Sequence, residues 1–348
     1  PQDGGAAVWA QEAFGKRLGG HVAYWMWVSS VIDSASYPSL ASDVLSEVVS
    51  LPACARQVTA VCFAVCIVIV KLRGMRDTVV MSALLMAIAI LPVILYVCLG
   101  MRLFRLQAIL STDGSCNWRL LVSWMTWTFS GFVSIGSVAG QVDRPQHVYP
   151  KLVVILIALI IAQNVVPMCI FVSQDSVMNN YKIGYFATLA GQAVDPALRN
   201  IFVVASCVCQ LGMCNAMSLV ADRSLAFLLE PQLAVFLSTT AFSRSWCFSV
   251  HSQSGIRPVY TLLNGCLMCL LSRQSLQVLV SSEMFLFTLT SLTLLAAFAH
   301  LKRTRPDLPR AYVFPGRFAG ALLLTLVPSI VTVLQITLFI SEATEGDE

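Results

Sequence analysis

The chain has 348 residues, of which 57% are apolar and only 11% charged, with a net charge of +4. Ordinary soluble domains carry about 25% charged residues, so this composition excludes a soluble globular protein and points to a bilayer. The basic residues fall in short segments between apolar runs, which excludes a nucleic-acid-binding surface.

A membrane-crossing helix needs about 20 apolar residues at a rise of about 1.5 Å each. In chain order, the first predicted span is Leu18–Ser42, interrupted only by Asp33. Gln57–Val70 is short, but Arg56 and Lys71 flank it and can snorkel. Thr78–Met101, Leu120–Val142, Leu152–Gln174 and Asn200–Ala221 follow, each without Asp, Glu, Lys or Arg. Pro258–Ser272 is the shortest, Met284–Leu301 is preceded by Glu283, and the uncharged Phe318–Ser341 closes a set of nine.

With the residues before Leu18 cytoplasmic, alternation leaves Arg56, Arg102, Arg105, Arg119, Lys182, Arg199 and Arg273 outside. Every other Lys and Arg then lies inside, the bias expected of cytoplasmic loops. The fold class read from this pattern is all-α integral membrane, one polytopic domain over residues 1–348 with a short acidic tail at 341–348. The chain opens on Pro1, and nine spans put its ends on opposite faces, so it is expected to be a fragment.

Most of the twelve cysteines lie in predicted spans, where a thiol behaves as a small apolar group. Cys266 and Cys269 form a CxxC and Cys207 and Cys209 a CxC, but neither has histidine or carboxylate neighbours. No metal or cofactor is therefore expected. Cys54 and Cys116 fall in outward loops, where a bridge is conceivable. No nucleotide-binding loop, metalloprotease motif or nucleophile elbow occurs, and no catalytic residue is expected.

The polar residues inside the membrane carry the chemistry. An aspartate at a span centre costs about 2.5–3.5 kcal/mol even on lenient insertion scales, so Asp33 should face a cavity or a partner. Ser30, Asp33, Ser34 and Tyr37 share i, i+3, i+4, i+7 spacing and hence one helix face. That face suits an ammonium group or an exchangeable proton; a structural anchor to another span is the alternative. Pro38, just beyond, should help open it.

The span Leu120–Val142 is a poor helix in its middle, where Thr128, Ser130, Gly131, Ser134 and Gly136 cluster. A helix broken at membrane depth is tolerated where its freed backbone faces protein, water or ligand. Phe129, Ser130, Gly131 and Phe132 are therefore candidate binding residues, with Trp127 as a third aromatic able to close over a cation. A packing notch between helices is the alternative. Glu283 is either a gate or a carboxylate that snorkels from the outer end of its span, and Gln141 and Asn215 fit interhelical bonds better than ligand contacts.

Five segments occur in a telling order: PQDGG (Pro1–Gly5), SVIDSASYP (Ser30–Pro38), FSGF (Phe129–Phe132), AGQVDRPQHVYPK (Ala139–Lys151) and LKRTRPDLPRAYVFPGRFAG (Leu301–Gly320). Together they resemble, over essentially the whole chain, the polyamine and amino-acid uptake branch of the amino acid–polyamine–organocation superfamily. The resemblance implies a LeuT-like fold of twelve spans, with two inverted five-span repeats and two extra spans. The first span here would be the family's third, the broken one its sixth and the last its eleventh, so the family's first, second and twelfth are absent. It further implies proton-coupled uptake of amino acids or polyamines at the plasma membrane by alternating access, with the site between broken first and sixth spans. Asp33 and Glu283 are then the coupling or gating candidates, and the lipid bilayer is the other partner.

The branch tends to carry acids at the positions of Val133 and Gln141, and near Asn215 and Met217; here all four are neutral. With Asp33 almost alone, a zwitterionic or singly charged amino acid is favoured over a di- or tri-cation. A non-transporting sensor or degenerate paralogue is the other reading.

Overall fold

The computed structural model describes residues 5–46, 48–110, 118–131, 142, 144–175, 177, 181, 184–238, 247, 249, 257–305 and 317–345, and every regular element among them is helical. In chain order these are α1 (Gly5–Phe14), α2 (Lys16–Ser46), α3 (Ala53–Arg73), α4 (Met75–Gly100), α5 (Leu106–Leu110) and α6 (Trp118–Thr128). Then come α7 (Pro145–Gln174), α8 (Tyr185–Ala193), α9 (Pro196–Ser238), α10 (Pro258–Leu271), α11 (Leu276–Thr304) and α12 (Arg317–Glu345).

Among the described residues, six helical segments are long and apolar enough to cross a bilayer: Ala53–Arg73, Asp77–Leu103, His147–Gln174, Pro196–Leu229, Leu276–Thr304 and Phe318–Phe339. Their outer faces expose apolar side chains over several turns, among them Leu84 and Leu91 on α4, Val154 and Leu159 on α7, and Leu323 and Val327 on α12. Exposed apolar surface on this scale is the lipid-facing kind.

The other three of the nine expected spans depart from that rule for physical reasons. α2 is long enough at 31 residues, but sixteen of them are buried, including Ser29, Ser30, Asp33, Ser34, Ser36 and Ser42. A helix wrapped by other helices need not be apolar all round. α10 has only 14 residues, and the described part of the broken span, α6, ends at Thr128 after 11.

Four stretches read as loops or tails carry structure instead. α1 occupies the stretch before the first span, and its Ala6, Ala7 and Ala10 form a core with Val22, Ala23 and Met26 of α2. α8 lies in the outward connection, where Ala187, Leu189 and Ala190 pack with Phe202 and Val203 of α9. Beside α8, Tyr181 donates to the Asp175 carbonyl at 2.6 Å. Burial, with the Asp175 carboxylate and Tyr185 close by, pushes the Tyr181 hydroxyl up to about 12. α9 runs 43 residues to Ser238, well past the expected end at Ala221, and α12 continues into the acidic tail as far as Glu345.

α2 is the central post of the bundle, and its broadest partner is α9. α11 runs antiparallel beside α2. Ser29 meets Glu283, while the Phe14 ring at the end of α1 meets the His300 ring of α11 at 5.2 Å, beside the start of α2. α10 approaches α3 at Gly265, where an added Cβ would stand 2.5 Å from Val68 Cγ2; that closeness brings Asn264 inside the bundle.

Candidate functional site

The predicted polar face of α2 is turned into the protein: Ser30, Asp33, Ser34 and Tyr37 are all buried. Asp33, 5% exposed, accepts one hydrogen bond on each carboxyl oxygen. The Tyr37 hydroxyl, one turn on, donates to Oδ2 at 3.1 Å, and the Trp127 indole of α6 donates to Oδ1 at 3.2 Å. The Tyr37 and Trp127 rings stack with centroids 6.1 Å apart. Pro38 has no N–H for the Ser34 carbonyl, and the Cys214 thiol of α9 lies 3.5 Å from that oxygen. The proline therefore ties α2 to α9 as well as loosening its own ladder.

α6 ends at Thr128, within the stretch the sequence marks as a poor helix. Thr128 and Ser130 hydroxyls take the Trp124 and Trp127 carbonyls, each at 2.8 Å, in competition with the helix ladder. The backbone then turns left-handed at Gly131, with φ of +96°. An added Cβ at Gly131 would meet nothing within 4 Å, so the position is special for its backbone and for the space before it.

That space is a cavity of about 30 Å³, room for about two water molecules. Ser130 and Gly131 wall one side, and Ser29 and Ser30 of α2 another. Met26 of α2 and Met217 of α9 join them, with Glu283, Phe287 and Thr290 of α11 opposite. Glu283 is 3% exposed and so does not snorkel to an interface. Its Oε1 accepts from the Ser29 hydroxyl at 3.4 Å, which holds it one helical turn from Asp33; its Oε2 has no partner. Thr290 Oγ1 is likewise buried and unpartnered.

Of the sequence candidates, Asp33, Tyr37 and Trp127 form their own cluster without lining the cavity, Phe129 turns away from it, and Asn215 makes the interhelical bonds expected of it. Phe129 is 36% exposed and does not line the cavity, because the turn after Thr128 carries it outward. Asn215 bridges helices: its amide donates to the Thr78 carbonyl at 2.9 Å and to Ser82 at 2.7 Å on α4. Phe132, Val133 and Gln141, with most of the 301–320 loop motif, lie outside the described residues.

A second buried polar centre was not anticipated. Lys71 of α3 pairs with Asp222 of α9 at 2.8 Å, their side chains 5% and 2% exposed. Asp222 also accepts from Thr261 at 2.6 Å and from Asn264 at 2.8 Å, both on α10. Asn264 in turn accepts from the Trp27 indole of α2 at 2.8 Å, and Lys71 also donates to the Ser218 carbonyl at 2.8 Å. The centre therefore closes on itself across four helices. Among the described residues no group of His, Cys, Asp and Glu is arranged to hold a metal ion.

The chain belongs to the amino acid permease family, whose model matches residues 1–344. With six apolar helices long enough to cross a bilayer, it is an integral multi-pass membrane protein. It is 27% identical over 346 residues to a probable polyamine transporter of Arabidopsis thaliana, covering 97% of this chain and 70% of that protein. It is 25% identical over 336 residues to the polyamine transporter PUT1 of Oryza sativa subsp. japonica, covering 94% and 61%. It is 22% identical over 341 residues to the polyamine transporter RMV1 of Arabidopsis thaliana, covering 95% and 66%. The chain thus spans about two thirds of the length of these curated relatives.

Proposed function

We propose that this chain forms the core of a secondary active transporter for small organic amines, either polyamines or cationic amino acids, in the plasma membrane. The observation that carries the reading is Glu283: a buried carboxyl with one free oxygen, facing a cavity closed by the break at Ser130–Gly131. The relatives' names, polyamine transporters all, support the same substrate class.

Glu283 changes the balance drawn from sequence. Neutral side chains at Val133, Gln141, Asn215 and Met217 had favoured a zwitterionic or singly charged amino acid over a di- or tri-cation. A second carboxyl held one turn from Asp33 makes the region attractive to a cation, and among the described residues no basic side chain lines the cavity. The unwound backbone at Gly131 adds carbonyl and N–H groups to the same wall. Asp33 and Glu283 are the groups suited to hold and release the coupling proton. A LeuT-like pair of inverted repeats would supply alternating access, with the broken α6 moving against the post formed by α2 and α9.

The test is uptake of labelled putrescine, arginine and leucine by cells expressing the whole open reading frame, at mildly acidic and at neutral pH. Saturable, acid-stimulated uptake of putrescine or arginine is expected. Uptake of leucine alone would return the substrate to the zwitterionic class. No uptake of any, with the protein present at the surface, would favour a ligand-binding sensor.

A further inference from the structure

The cavity has two polar ends, and only one carries a charge. Glu283 and Thr290 are seven residues apart on α11, two turns and about 10 Å along one face of the helix. Phe287 lies between them on the same face and also lines the cavity. Because α11 runs antiparallel to α2, Thr290 marks the end nearer α1, where Met26 is its neighbour in the lining. Both Glu283 and Thr290 are 3% exposed, and each keeps an oxygen without a partner.

An unpartnered buried hydroxyl is costly, and threonine on a helix normally returns its proton to the carbonyl four residues back. Thr288, two residues earlier, does so onto Met284 at 2.6 Å, and Thr325 of α12 onto Ala321 at 3.0 Å. Thr290 does not, and its hydroxyl stays available to the cavity. The lining thus runs from a carboxyl, past an aromatic ring and methionine side chains, to a neutral hydroxyl. We infer that Thr290 reads the far end of the substrate in a state whose cavity is wider than the ~30 Å³ seen here: the ammonium head sits at Glu283, a short aliphatic chain lies along Phe287, and a hydrogen-bonding terminus meets Thr290. A threonine hydroxyl both donates and accepts, so it takes either an amine or a hydroxyl terminus and rejects a bare methyl.

This specificity role rests on the amine-transport reading, and the experiment separates the two. Cells expressing the whole open reading frame take up labelled putrescine in competition with aminobutanol or with butylamine, two monoamines of equal chain length that differ only at the far end. In the wild type, aminobutanol should compete about tenfold better than butylamine, the worth of one buried hydrogen bond. Thr290→Val is close to isosteric; it should leave the two competitors equal and raise the apparent constant for putrescine, with the maximal rate kept. Thr290→Ser should restore the discrimination. Putrescine uptake with no discrimination in the wild type, or with discrimination unchanged in Thr290→Val, would overturn the role of Thr290 and leave the transport reading standing. No putrescine uptake by wild-type protein present at the surface would overturn the role of Thr290, and the transport reading with it if arginine is not taken up either.

Discussion

Two buried polar centres lie in this bundle, and they differ in how far their groups are satisfied. The Lys71–Asp222 centre neutralises its charge, and Asp222 takes hydrogen bonds on both carboxyl oxygens, from Lys71, Thr261 and Asn264. The Asp33–Glu283 region has two carboxyls, neutral donors only, and free oxygens on Glu283 and Thr290 facing a cavity. Buried polar groups that complete one another specify a single packing, whereas groups left open are places for something else to bind. The first centre joins α2, α3, α9 and α10 into a frame; the second lies where that frame meets α11 and the end of α6. A saturated network and an open one therefore divide the work of holding and of binding.

The comparison is broken most severely at Lys71. Lys71→Met leaves Asp222 buried without its counter-charge, at a cost of about 3–5 kcal/mol, which should appear as a large loss of folded protein in detergent melting and at the membrane. Combining it with Asp222→Asn removes the orphaned charge and keeps an amide for Thr261, so the pair should recover most of the loss. A single variant as stable as the wild type would deny the centre its structural role. Asp33→Asn should do the reverse. It keeps an oxygen for Trp127 and alters hydrogen bonds worth about 1–3 kcal/mol, so the protein should still fold. Amine uptake should fall below detection and any residual rate should lose its pH dependence. Uptake with unchanged kinetics would move Asp33 into the frame.

Much of the open centre was legible along the chain, because its signals are local. The spacing of Ser30, Asp33, Ser34 and Tyr37 defines a face within one helix, and the serines and glycine after Trp127 weaken a helix wherever they stand. Glu283 was ambiguous for the opposite reason. Its burial depends on Ser29, 254 residues away, and a carboxylate at a span end has the option of snorkelling until that partner is known. Lys71 and Asp222 were hidden by the same long range. Each lies at the edge of an apolar run, where a charge reads as a span terminus, and only their packing across α3 and α9 makes them an internal pair. α1 and α8 escaped because they are short and rich in alanine, with too little apolar length to register as spans.

Gly131 tests the break itself. At φ of +96° an alanine costs about 1 kcal/mol in backbone strain, with nothing nearby to clash against its methyl. Gly131→Ala should therefore lower uptake several-fold at normal surface level, while Gly131→Leu, which places a branched side chain in the cavity, should block it. Uptake that survives Gly131→Leu would remove the broken segment from the substrate path.

Phe129 sharpens the comparison from its quiet side. The sequence placed it with Ser130 and Gly131 as an aromatic wall for the ligand, and the turn at the end of α6 instead leaves it 36% exposed and outside the cavity lining. An exposed aromatic at a helix end contributes little beyond its own surface, and substitutions away from a site usually change stability by no more than about 0.5 kcal/mol. Phe129→Ala should accordingly change the apparent substrate constant by less than about twofold and leave the melting temperature unaltered. Trp127→Phe, two residues earlier, removes the indole donor to Asp33 and should change that constant clearly more. If the two variants behaved alike, the register of the break would be wrong, since a shift of two residues is what would carry Phe129 into the place Trp127 now holds.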